Sequence, residues 1–174
     1  MIRYIAELGL ASMLKLERTT IASLVAGSAE RCGGDSALEL DAIVKILEPS
    51  DRLEVFWGLF GAFLEPHREP RRYPNQALAG SLLLRLRPPC PLPACEAIRR
   101  ILPGWEVSVE ELPWYLALTC GEDAVWAAIT EIDAGPLSER ERLVLHTFRF
   151  WVLPGWQDNP LARSRIEGDC KKRS

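Results

Sequence analysis

The chain has 174 residues, 48% of them apolar, and sets 21 lysines and arginines against 24 aspartates and glutamates, for a formal net charge of −3. That length suffices for a self-contained core, because folding at this size buries about 70% of the surface an unfolded chain exposes. The longest apolar run, VFWGLFGAFL at 55–64, is half of what a bilayer crossing needs, and the net acidic balance argues against nucleic acid as a partner.

Glu7 interrupts the apolar stretch that a signal peptide would need. The five cysteines, Cys32, Cys90, Cys95, Cys120 and Cys170, are odd in number and scattered, unlike the dense, even pattern of a disulfide-stapled secreted domain. Both features predict reduced thiols and a cytoplasmic location.

Strand signals are poor, with little strict alternation and no Asn-Gly or Asp-Gly turn. Helical spacing instead predicts segments at 3–14, 18–31, 37–48, 52–64, 75–87, 93–102, 113–120, 122–132 and 139–152. Four pairs place a capping oxygen three residues ahead of a carboxylate: Ser36 with Glu39, Asp51 with Glu54, Ser108 with Glu111, and Ser138 with Glu141. The breaks fall at Gly33-Gly34, Pro49, Pro66, Pro88-Pro89, Pro103-Gly104, Gly121 and Gly135-Pro136. Pro113 sits too deep for a helix capped by Ser108, so that helix is expected to start with Pro113 at its first position.

Within 122–132, Val125, Trp126, Ile129 and Ile132 share the inward side, with Glu122 and Asp123 in the first turn where the helix dipole favours them. Within 139–152, Val144, Phe148, Trp151 and Val152 are read as core. Glu139, Arg142, His146 and Arg149 are read as a solvated polar stripe.

The tetrapeptide Leu-Pro-Gly-Trp occurs at 102–105 and again at 153–156, each time after a helix carrying arginine and apolar residues. Proline stops a helix and glycine permits a reversal, so the echo reads as punctuation, with Leu102 and Leu153 as buried anchors and the tryptophans closing the core. A looser echo relates KILEPSDRLEVFW at 45–57 to RILPGWEVSVEELPW at 100–114. This irregular self-similarity, over residues 36–156, resembles the HEAT and armadillo helical repeats. The resemblance implies an all-α fold of stacked antiparallel helix hairpins, as an irregular right-handed solenoid or a compact bundle around one core. Residues 1–156 are then one all-helical domain, with 1–35 as N-terminal capping helices. The polar segment 157–174 lacks apolar periodicity and is expected to be a mobile tail.

Motifs that would carry chemistry are missing: there is no glycine-rich phosphate loop, no Gly-x-Ser-x-Gly elbow and no His-Glu-x-x-His. Cys90 and Cys95 are separated by two prolines among four residues, and no second Cys/His pair follows to complete a zinc site. A nucleophilic pairing of Cys95 or Cys120 with His67 or His146 has no local motif behind it. The chain is therefore expected to be no enzyme, with no cofactor, metal or catalytic residue.

Charge segregation stands out. Residues 66–100 carry seven arginines against Glu69 and Glu96, whereas 101–139 carry eight acids and no lysine or arginine. One reading pairs the basic and acidic segments across a seam between helices. The other makes Glu106, Glu110, Glu111, Glu122 and Asp123 an exposed docking face for a protein with a basic surface, with Trp105, Trp114 and Tyr115 as aromatic anchors. In general form, a small acidic helical chain of this kind resembles the bacterial immunity proteins. That resemblance implies a cognate toxin as partner, neutralised by occlusion. The alternatives are an adaptor within a larger assembly and a small enzyme with a dispersed site.

Overall fold

The computed structural model describes residues 15–32, 37–64 and 72–167. It is all-helical among these residues, with α1 at Arg18–Cys32, α2 at Ala37–Leu47, α3 at Arg52–Phe60 and α4 at Arg72–Leu86. There follow α5 at Ala94–Ile101, α6 at Glu111–Cys120, α7 at Glu122–Asp133, α8 at Glu139–Trp151 and α9 at Pro160–Glu167. Short 3-10 turns at Gly61–Phe63 and Trp156–Asp158 follow α3 and precede α9. No helix among the described residues is long and apolar enough to cross a membrane. The helix expected at 3–14 and the cap expected from Ser36 lie outside the described residues.

Local chemistry explains most boundaries. At α8, Ser138 Oγ accepts from the Glu141 N–H at 3.2 Å while Glu141 Oε2 accepts from the Ser138 N–H at 2.9 Å, a complete capping box. At α3, Asp51 caps the N–H groups of Leu53 and Glu54, but Glu54 turns away to accept from the N–H of Arg18 at 2.8 Å and its guanidinium at 2.7 Å. A carboxylate read as a cap thus ties α1 to α3. Glu39 likewise accepts from Ser28 and Arg31 of α1.

The Ser108 cap does not form: its hydroxyl donates to Glu106 at 3.0 Å, and α6 starts at Glu111 with no side-chain cap. Pro113 is the third residue of α6 and Pro74 the third of α4. Proline is tolerated there because a first-turn residue has no intrahelical N–H bond to lose; α6 thus begins before the start expected at Pro113, and α4 begins before the expected 75.

Alternate helices stack: α1 on α3, α4 on α6, and α5 on α7, with α3 against α4 and α6 against α7 completing the packing. Helix α4 is buried on nearly every side, through Ala77, Leu78, Ala79, Leu82, Leu83, Leu84 and Leu86. It touches α1, α2, α3, α6 and α9, as expected of a helix apolar all round. The α1–α3 crossing depends on Gly58, where a Cβ would lie 2.7 Å from Ile21 Cβ and 2.9 Å from the Arg18 carbonyl oxygen. Phe56 stacks on Phe60 at 4.9 Å and meets Tyr115 of α6 at 6.4 Å, which joins the two halves of the core.

The segment expected as a mobile tail from 157 onward is helical over Pro160–Glu167, with Ala162 fully buried and α9 packed on α4. Ala162, the partly buried Ile166 and the Arg165 bridges described below hold a helix whose sequence shows no stripe. Residues 168–174 lie outside the described residues.

Candidate functional site

The tetrapeptides act as structure, and the two copies differ. Leu102 and Trp105 are both buried; the Trp105 indole N–H donates to Val109 O at 3.0 Å and its ring meets Phe148 edge-on at 5.5 Å. In the second copy Trp156 is buried but Leu153 is 43% exposed, which corrects the expectation that both leucines are anchors. The cause is backbone: Gly155 adopts φ +82° and swings Trp156 inward, whereas Gly104 needs no positive φ. Gln76, fully buried on α4, straps the first copy down. Its Nε2 donates to Gly104 O at 2.8 Å and to Ala62 O at 3.0 Å, and its Oε1 accepts from the Glu106 N–H at 2.7 Å.

The proposed docking anchors do not face solvent. Trp105, Trp114 and Tyr115 are 0–1% exposed, and Glu110 and Glu111 are 8% and 3% exposed. Trp114 donates to Trp151 O at 3.0 Å and Tyr115 to Pro88 O at 2.7 Å. Trp126, half-buried, donates to Val152 O at 3.1 Å. The carbonyls at the end of α8, which have no intrahelical donor, thus receive indole N–H groups instead.

The acids are mostly engaged internally. Arg165 of α9 bridges Glu111, and Glu110 at 3.6 Å. Arg72 reaches Glu106 at 3.3 Å, Arg99 reaches Glu131 at 3.7 Å, and Glu122 accepts from the indole of Trp156 at 2.8 Å and from Gln157 at 2.7 Å. Burial pushes the Glu111 carboxyl up to about 7, with Arg165 opposing the rise and Glu110 adding to it. Of the five acids read as a docking face, only Asp123 is exposed; Glu106 and Glu122 are half-buried and Glu110 and Glu111 buried. The seam between the basic and acidic segments exists at Arg72 and Arg99, but among the described residues the cation that bridges Glu110 and Glu111 is Arg165 of α9.

The thiols diverge. Cys95 Sγ contacts Glu131 Oε1 at 3.2 Å, whereas Cys90 Sγ contacts Leu92 O at 3.5 Å. They do not converge on one point, and no group of three or more potential ligands occurs among the described residues. The Cys90 thiol, itself raised, donates toward Cys120 and holds Cys120 below the usual thiol range at about 7. His146 lies 3.9 Å from Asp133, and His67 lies outside the described residues. A groove of about 310 Å³ beside α1 and α3 is lined by Ala22, Ala26, Gly58, Gly61 and Asn75 among others, with no titratable side chain among the described residues that line it.

Exposed large apolar side chains occur singly at Leu38, Leu53, Tyr73 and Leu161, whereas α8 places two on one helix face. Leu143 is 66% and Phe150 60% exposed, and Leu153 follows just past the helix end. Residues seven apart are two turns apart and share a face. Beside that face run Arg142, His146 and Arg149, with Arg140 on its other flank, all exposed. Arg142 pairs with Asp133 at 3.0 Å, and the Arg149 guanidinium lies 5.2 Å from the centre of the Trp126 ring. The sequence contains the signal, since removing the core positions 144, 148, 151 and 152 leaves 143 and 150 on the polar stripe. No family model, curated protein or solved structure matches this chain.

Proposed function

We propose that the chain is a protein-binding module that neutralises or regulates a partner, in the manner of the immunity proteins whose general form it resembles, and that it makes contact through the outer face of α8. The observation that carries this reading is the exposure of Leu143 and Phe150 on one helix face. Large apolar side chains in water at the middle of a charged rim are the usual composition of an interface centre. The stacking of alternate helices supports the HEAT-like resemblance, because a stacked array leaves outer faces free for a partner. The original acidic face is weakened as a docking site because its aromatics and two of its acids are buried.

The test places a photo-crosslinking amino acid at Phe150, at Asp123, or at the exposed control position Glu96, in cells of the native host. Discrete protein adducts from position 150 are expected. Adducts from Asp123 alone would return the docking site to the acidic segment, and a pattern at 150 no different from that at 96 would overturn the reading.

A further inference from the structure

We infer that the occupant of the α8 face is an acidic amphipathic helix, one that sets apolar side chains against Leu143 and Phe150 and carboxylates along both flanks. This rests on the reading of α8 as the docking face and adds the chemistry of the partner.

The geometry begins with spacing. Leu143 and Phe150 stand two turns apart, about 10 Å along the axis, and a partner helix laid along α8 meets them with residues at its own i, i+3 or i+4, and i+7 positions. Leu153 extends the apolar line beyond the last turn. The flanks set the charge. One side carries Arg142, His146 and Arg149 and the other Arg140. Two acids lie nearby: Asp133 is occupied by Arg142 at 3.0 Å and has His146 at 3.9 Å, while Glu139 stands at the helix start. Glu141 is committed to the capping box.

Cations on both sides of an apolar line complement carboxylates on both sides of another. A second copy of this chain would bring arginine against arginine across the same line, so self-association is disfavoured. Arg149 is prepared for this role: its stacking on Trp126 holds the guanidinium at the rim without neutralising it, which lowers the entropy lost when a carboxylate arrives.

The experiment selects from a displayed library of amphipathic peptides of about eighteen residues, with leucine and phenylalanine at interface spacing and flanking positions drawn equally from Glu, Lys, Gln and Ser. The whole chain is the target. Glutamate is expected to exceed lysine at the flanks by roughly tenfold. A synthetic peptide from that pool should lose at least about tenfold in affinity to the Leu143→Asp, Phe150→Asp double variant, with helicity checked by circular dichroism. Arg140→Glu with Arg149→Glu leaves both apolar anchors in place and should turn the selection toward lysine.

Lysine-rich or unbiased flanks, on peptides still lost with Leu143 and Phe150, would overturn the acidic class and leave the docking face standing. Enrichment no different on the double variant would overturn both. Binding to phosphatidylglycerol vesicles in preference to every peptide would replace the helix with a lipid surface. Dimerisation abolished by the double variant would replace it with a second copy.

Discussion

The Trp156 indole lies parallel to that of Trp114, with ring centroids 6.0 Å apart and planes 7° from each other, while its N–H donates to Glu122 at 2.8 Å. The second tetrapeptide is therefore anchored by its tryptophan and not by its leucine. Trp156→Ala is expected to cost about 3–5 kcal/mol and Leu102→Ala about 2–5 kcal/mol. Leu153→Ala, at an exposed site, should stay within about 0.5 kcal/mol. Chemical denaturation of the three variants checks the order; a Leu153→Ala cost equal to that of Leu102→Ala would contradict the assignment.

Gln76 makes three hydrogen bonds from a fully buried position, two to the carbonyls of Ala62 and Gly104 and one from the Glu106 N–H. Gln76→Leu keeps the volume but leaves those backbone groups without partners. The expected loss is roughly 2–5 kcal/mol. Because Gly104 and Glu106 frame Trp105, near-ultraviolet circular dichroism should weaken as well. Unchanged stability would mean that water replaces the amide.

How much of this was legible follows from where each signal lives. Helix existence is local: the Ser138–Glu141 box and the proline breaks act within a few residues, and those segments appear at the predicted places to within a turn. Pro113 accounts for the expected start of α6 two residues late, since the rule that bars proline from helix interiors does not reach the third position of a helix. Charge segregation pointed to a seam between the basic and acidic segments, which Arg72 and Glu106 form across 34 residues of sequence, but not to Arg165, 54 residues from Glu111 in a segment expected to be a tail. No periodicity within 101–139 reports on either. Leu143 and Phe150 were legible in principle, as the residues left over once the core face of α8 is assigned.

Cys120, half-buried at the end of α6, sits below the usual thiol range because Cys90 donates toward it and Thr119 lies beside it at 4.0 Å. Alkylation by iodoacetamide, followed residue by residue by mass spectrometry, should show Cys120 reacting with a midpoint at pH about 7 and Cys90 resisting throughout. Cys90→Ala removes the donor and should move the Cys120 midpoint upward toward the ordinary value of 9.0. A midpoint indifferent to Cys90 would show that the two thiols do not interact.

Glu111 makes the fold sensitive to pH in a direction opposite to the common carboxylate case. Burial raises its folded value from 4.5 to about 7 against the pull of Arg165. The unfolded chain releases this proton near 4.5, whereas the folded chain holds it to about 7. Between those values the folded state binds more protons, so stability falls as pH rises through the window and the loss is complete above about 7. The loss from this one group is on the order of 3 kcal/mol. Glu111→Gln removes the titration while keeping an oxygen for the Ser81 hydroxyl, which donates at 3.4 Å. The variant should therefore gain on the parent from about pH 5 to 7 and level off above that, and the difference between the two curves isolates Glu111 from every other group. Arg165→Met should act the other way: with the opposing cation gone and Glu110 still adjacent, Glu111 holds its proton to higher pH and the decline extends further upward in pH than in the parent, while α9 loses its bridges to Glu110 and Glu111 and becomes open to proteolysis. Parallel curves for the parent and Glu111→Gln would show that Glu111 stays ionised in the fold, with Arg165 outweighing burial.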